Sequence, residues 1–158
     1  MNETVKREKT LLSLRKSTLS QLEEMGFNLV EKPNNSLELE SDITKLSDTN
    51  LGKKFQRSIS WENYAGDRLA LARVDELLAD YNVELTILKA MRHTEGGVQN
   101  RKAEASMSLT VRKAKLELKD KQSMVIVLES QYSRFNRNSV LLSREQTRRA
   151  SENRNGTR

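Results

Sequence analysis

Between Val98 and Arg149 apolar residues recur in alternating steps of four and three: Met107, Val111, Ala114, Leu118, Val125, Leu128, Tyr132, Phe135 and Leu142, with Lys121 and Ser139 as the polar members of the series. This is the heptad spacing of a helix that lies along another helix for its whole length. One uninterrupted helix over residues 98–149 is roughly 75 Å long at the α-helical rise, more than a compact domain of this size can use. The spacing therefore predicts an all-α chain, elongated and organised as an antiparallel, coiled-coil-like hairpin.

Composition agrees with a thin core. Of 158 residues, 35% are hydrophobic and 4% aromatic while 32% are charged, which leaves too little apolar surface for a thick globular interior. The single proline is Pro33. No segment alternates apolar with polar over a strand's length, apart from a short piece near Leu37–Leu39. Cysteine is absent, which removes disulfides and thiolate metal sites and fits a reducing cytoplasm. The charged start, Met1 to Glu8, leads into no apolar block of signal-peptide length, and nowhere do enough apolar residues run together to span a bilayer. A cytoplasmic protein without membrane attachment is expected.

Four segments follow. Residues 1–27 predict an N-terminal helix with a stripe of Val5, Leu12, Leu19, Leu22 and Met25, broadened by Leu11 and Leu14 and closed by Gly26 as a C′ glycine. Residues 28–59 read as a long, irregular, acidic connector, because Pro33-Asn34-Asn35-Ser36 forms turns and Asp42, Ser47, Asp48, Asn50 and Gly52 interrupt any helical pattern. It is either a solubilising linker or an arm that covers basic residues. Residues 60–149 form the hairpin, with a turn at 95–98 around Gly96-Gly97. The second helix is capped by Ser60 and carries a seam of Tyr64, Leu71, Val74, Leu78, Tyr81, Leu85 and Leu88, widened by Leu69, Leu77, Ile87 and Met91. Residues 150–158 read as a disordered basic tail. With unequal arms, Arg134 to Arg149 project past Ser60, and Tyr132, Phe135 and Leu142 on that overhang predict a self-association surface, hence a homo-oligomer.

The formal charge is +6 and is unevenly placed: −3 over residues 28–52, +4 over 101–121 and +5 over 134–158. Concentration on one element is the footprint expected of a polyanion binder. Arg112, Lys115 and Lys119 recur at three and four, as do Arg134, Arg137, Arg144 and Arg148 with Leu141 in the missing step, so each set forms a stripe beside the seam. From Arg134 onward every cation is arginine, whose planar fork suits phosphate. Trp61 and Phe55 near Lys53, Lys54 and Arg57 could stack bases, although a packed tryptophan is the simpler reading.

Catalysis has little to stand on. His93 is the only histidine and falls at a helix end. Asp75, Glu76, Asp80 and Glu84 lack the companions of a metal site, and Gly96-Gly97 lacks a phosphate-loop context. No cofactor or metal is expected, and no enzymatic activity.

Arg101-Lys102-Ala103-Glu104-Ala105, Val111-Arg112-Lys113-Ala114-Lys115-Leu116-Glu117-Leu118, Leu128-Glu129-Ser130 and Leu142-Ser143-Arg144-Glu145-Gln146-Thr147-Arg148-Arg149 together resemble small bacteriophage proteins of the UvsY-like recombination-mediator type over residues 60–149. The resemblance implies a non-enzymatic oligomer in the bacterial host cytoplasm. Such a protein binds single-stranded DNA and loads a recombinase onto strands coated by single-strand-binding protein. It also implies DNA contacts from Arg101, Lys102, Arg112, Lys113, Lys115 and Lys119. The connector and tail have no counterpart in that pattern. The competing expectations are a coiled-coil structural or assembly protein of a phage particle and a helical regulator of a host enzyme.

Overall fold

In the computed structural model, which describes residues 13, 15–17, 19–26, 29–40 and 42–155, helix α1 comprises residues 13, 15–17 and 19–24. A 3-10 turn at Ile43–Lys45 follows, then α2 (Asp48–Met91), α3 (Val98–Met107) and α4 (Leu109–Asn155). Among the described residues there is no strand, and the long helices α2 and α4 pack against each other as an antiparallel hairpin. The protein is all-α. Leu37, expected on a short extended piece, is buried without forming a strand.

Three boundaries differ from the sequence expectation, each for a local reason. Helix α2 starts at Asp48, not at Ser60, because Ser47 supplies the N-cap: its Oγ accepts the Asn50 N–H at 3.3 Å and its carbonyl the Leu51 N–H at 2.8 Å. Asp48 and Asn50, read as helix breakers, fall in the first turn, where such residues are favoured. Ser60 lies inside the helix and donates its hydroxyl to the Gln56 carbonyl. The second difference is a break at Ser108, extended at φ −62°, ψ 146°, which interrupts the helix expected over 98–149. Its Oγ accepts the Val111 N–H at 3.3 Å, so Ser108 caps α4 as Ser47 caps α2. Third, α4 continues to Asn155, through much of the expected tail.

Glycines close the turns as expected where φ is positive, Gly26 at +82° after α1 and Gly96 at +104° between α2 and α3. The expected α1 positions Val5, Leu11, Leu12 and Leu14 lie outside the described residues.

Packing divides the chain into two units, Met1–Asn28 with Ala70–Ile126 and Leu29–Leu69 with Val127–Arg158. In the first, the core is Ala72, Ala79 and Val83 of α2, Ala105 of α3, and Val111, Ala114 and Val125 of α4. Arg15 Nε lies 3.0 Å from Asp75, an ion pair without the alignment of a hydrogen bond. In the second, Leu37, Ala65 and Phe135 form a cluster flanked by Leu39, Trp61 and Tyr132. Trp61 stacks on Phe135, with centroids 5.5 Å apart and planes at 25°. The pairs Asp48–Arg149, Gly52–Gln146, Ser58–Ser139, Glu62–Asn136 and Gly66–Tyr132 fix one antiparallel register in that unit.

The face that α2 buries follows its large residues only in part: Leu69 is buried, and Tyr64, Leu71, Val74, Leu78 and Leu85 are half-buried. Buried on α2 are Leu51, Ser58, Ala65, Leu69, Ala72, Ala79, Val83 and Thr86, while Tyr81 and Leu88 are 53% and 58% exposed. The reason is complementary size. The α4 seam carries Val111, Val125, Tyr132, Phe135 and Leu142, and close-packed helices need small residues opposite large ones. A Cβ on Gly66 would already stand 3.5 Å from the Tyr132 ring, and the buried hydroxyls of Ser58 and Ser139 approach to 3.0 Å.

Phe135→Ala should lower unfolding free energy in urea by about 3–5 kcal/mol. Leu88→Ala, which lies on the expected seam but outside the observed one, should shift it by no more than about 0.5 kcal/mol. Equal losses would restore the Leu88 face to the core.

Candidate nucleic-acid interface

Every candidate cation sits on α3 or α4, and helical periodicity turns most of them away from the buried seam. In the first unit Lys102, Arg112, Lys113, Lys115 and Lys119 are exposed. Arg101 is half-buried, its Nε shielded and without a hydrogen-bond partner. In the second unit Arg134, Arg137 and Arg144 are exposed. Arg134 holds its guanidinium 5.4 Å from the centroid of the Phe135 ring, and Arg137 Nε donates to the Ser133 carbonyl at 3.3 Å. Among the described residues none of Arg112, Lys113, Lys115, Lys119, Arg134, Arg137 or Arg144 has an ion-pair partner within 4.0 Å.

Arg148 departs from its set. Its guanidinium grips Glu145 through Nε (2.9 Å) and Nη2 (2.8 Å) and reaches Glu152 with Nη1. The bidentate geometry and the two carboxylates raise its pKa further above the ordinary arginine value. Sequence spacing put Arg148 on the stripe but could not reveal that its charge is already answered.

Arg149, off the stripe, is the most heavily used side chain in the second unit. Nε donates to Glu145 at 2.7 Å, and Nη1 to Asp48 and to the Leu46 carbonyl, both at 2.7 Å. Nη2 reaches the carbonyls of Thr44 (2.9 Å) and Ile43 (3.4 Å). It therefore binds the carbonyls of Ile43 and Thr44 in the 3-10 turn and of Leu46 after it, and ties the segment before α2 to α4. Glu145 is only 7% exposed, and hydrogen bonds from Arg148 and then Arg149 hold its carboxyl down at about 2 against an ordinary 4.5.

The self-association surface expected at Tyr132, Phe135 and Leu142 is corrected. Phe135 is 8% exposed, Leu142 is fully buried and Tyr132 is half-buried against Gly66. Because α2 begins at Asp48, residues expected to overhang are paired with α2 inside the same chain, which leaves nothing of Leu142 for a neighbouring copy.

The acidic connector is also more than a loose linker. Residues 29–40 run back along α2: the Val30 N–H bonds Asp67 at 2.7 Å, Trp61 Nε1 donates to the Asn35 carbonyl at 2.7 Å, and Lys54 bonds the Glu38 carbonyl and pairs with Glu40 at 3.1 Å. Hydrogen bonding and Lys54 hold the Glu40 carboxyl below its ordinary value. Of the cations near Trp61, the strap thus engages Lys54. His93 lies exposed in the turn after α2.

No family model, curated protein or solved structure matches the chain. No helix among the described residues is long and apolar enough to cross a membrane.

The Glu145 pairing sets a pH dependence. The folded state holds this carboxyl below its ordinary 4.5, so the pairing contributes stability above that pH and loses it as pH falls from 4.5 towards about 2. Thermal unfolding of the wild type should weaken over that window, and Glu145→Gln should flatten that part of the profile while lowering stability at neutral pH. An unchanged slope in the variant would remove Glu145 from the account.

Proposed function

We propose that this chain is a non-enzymatic accessory protein that binds single-stranded DNA through the outward cations of α4, as a mediator that helps load a recombinase onto strands coated by single-strand-binding protein. One observation carries the DNA-binding part: Arg112, Lys113, Lys115, Lys119, Arg134, Arg137 and Arg144 are exposed and lack ion-pair partners among the described residues. Charges held in this way attract a phosphate backbone with little sequence preference. The mediator part rests on the resemblance to UvsY-like phage proteins, and with it come the expected partners, a recombinase and a single-strand-binding protein.

A second reading is favoured by a different surface. Leu77, Tyr81 and Leu88 lie along one side of α2 at 69%, 53% and 58% exposure. An apolar stripe of this kind suits an assembly protein that packs helix on helix, and it offers a neighbouring copy the apolar surface that buried Leu142 does not.

Two measurements separate the readings. Fluorescence anisotropy with a labelled oligothymidylate should show affinity falling steeply with salt. For the combined Arg134→Ala, Arg137→Ala, Arg144→Ala variant, the slope of log affinity against log salt should shrink by about 2, as loss of three single-strand phosphate contacts implies. Light scattering coupled to size exclusion should show whether Leu77→Ser with Leu88→Ser changes the molecular mass in solution. Salt-independent binding by the wild type would defeat the DNA reading, and a mass change without DNA binding would favour assembly.

A further inference from the structure

In the second unit an open surface cavity of about 310 Å³ lies between the connector and α2, lined by half-buried Pro33 and exposed Asn34 and Asn35 on one side and by exposed Lys53, Gln56, Arg57 and Ser60 on the other. That is at the small end of the range in which proteins hold small ligands, roughly 300–1,000 Å³. Its polarity is one-sided: two cations and, among the described residues, no carboxylate line it.

Lys53 and Arg57 are four residues apart on α2, so helical geometry sets their heads on the same side, one turn above the other. Neither has an ion-pair partner among the described residues, although Lys54 beside them is taken by Glu40 at 3.1 Å. The side-chain amides of Asn34, Asn35 and Gln56 likewise make no hydrogen bond among the described residues. Ser60 donates its hydroxyl to the Gln56 carbonyl at 3.1 Å and so offers a ligand only lone pairs. The walls are fixed on either side, by Trp61 Nε1 on the Asn35 carbonyl at 2.7 Å and by Lys54 on the Glu38 carbonyl. The cations stand inside α2, beyond its first turn, so the positive field comes from side chains and not from the helix end.

We propose that this cavity binds a phosphate group carried on a nucleoside, as a free nucleotide or as part of a strand. Lys53 and Arg57 take the phosphate oxygens, with arginine able to hold two at once. The three amides can donate to and accept from a base or sugar, and Ser60 can accept from a sugar hydroxyl. The site uses α2 and the connector, not the α4 stripe, and it stands or falls separately from the DNA-binding reading above.

Isothermal titration of the full chain with thymidine 5′-monophosphate, the dinucleotide d(TpT) and unphosphorylated thymidine tests the proposal. Monophosphate or dinucleotide should bind and thymidine should not. Combined Lys53→Ala and Arg57→Ala should weaken binding of the monophosphate by about tenfold or more, and by more than the combined Arg134, Arg137, Arg144 variant does. Tighter binding of the monophosphate assigns the site to a terminal phosphate, and tighter binding of d(TpT) assigns it to an internal phosphodiester. If the double variant loses helical circular dichroism, Arg57→Gln alone serves, with a smaller loss expected. The proposal is overturned if neither phosphate compound gives heat at millimolar concentration, or if a folded variant binds as the wild type does.

Discussion

The close approach of α2 and α4 in the second unit depends on small side chains, and the other features of that unit depend on the approach. Ser58 and Ser139 meet at 3.0 Å with the Ser58 hydroxyl also 3.4 Å from the Phe135 carbonyl, and Gly66 leaves room for the Tyr132 ring. Contacts this short bring helix backbones near enough for Phe135 to sit against Ala65 and for Trp61 to stack on Phe135. A side chain much larger than serine at Ser58 would separate the helices, and the platform on which Leu37 and Leu39 rest would go with it, whereas a lone Cβ at Gly66 would sit in ordinary contact with the Tyr132 ring at 3.5 Å. The Ser58 and Ser139 hydroxyls can be buried at this contact because each has a hydrogen-bond partner and adds little volume.

The same register decides where Arg149 falls. Its five N–H donors all find acceptors, on Glu145, Asp48 and the carbonyls of Ile43, Thr44 and Leu46. A slip of α4 by one turn would separate the guanidinium from Asp48 and from the 3-10 turn together. The connector is therefore held by backbone carbonyls at its C-terminal end and by Trp61 and Lys54 further back. Two readings of this acidic stretch were open from sequence, a linker or a cover over the basic helix, and the geometry fits neither whole: its acid Glu40 answers Lys54 of α2, while on α4 it meets Arg149 through carbonyls and Asp48 and leaves Arg134, Arg137 and Arg144 without an ion-pair partner among the described residues.

What was legible in the sequence follows the size of the side chains. The α4 seam stood out because it is written in Val, Leu, Tyr and Phe, and Val111, Ala114, Val125, Phe135, Ser139 and Leu142 of that series are buried. Its counterpart on α2 sets only Leu51, Leu69 and Val83 among Ala, Ser and Thr, which carry little periodic hydrophobic signal beside larger neighbours such as Tyr81 and Leu88. Ser47 and Ser60 are equivalent as isolated N-cap candidates. Only Leu51 and Ser58 continuing the spacing upstream could have favoured Ser47, and a glycine and several polar residues obscured them. Ser108 was hidden for the opposite reason, since an apolar seam running through it outweighed one serine. For the candidate interface, spacing placed the cations on their helix, and the Glu145–Arg149 pair could be read at four residues' separation. That Arg148 closes on Glu145 and Glu152, or that Pro33 to Asn35 come to face Lys53 and Arg57, depends on rotamers and on a long connector folding back, neither of which periodicity encodes.

The arrangement of charges matters more than the total. In the second unit many carboxylates are fixed by structural partners: Asp48 and Glu145 by arginines, Glu40 by Lys54, Asp42 by Thr44, Asp67 by the Val30 N–H and Glu62 by Asn136. Lys53, Arg57, Arg134, Arg137 and Arg144, by contrast, have no ion-pair partner among the described residues. At physiological ionic strength fields fade over about 8 Å, so an approaching strand senses the nearest side chains and not the net charge of the chain. With a modest formal charge of +6, the protein can still offer locally positive surfaces, because its acids are committed to holding the connector and the helix ends while guanidinium and ammonium groups are left at the periphery.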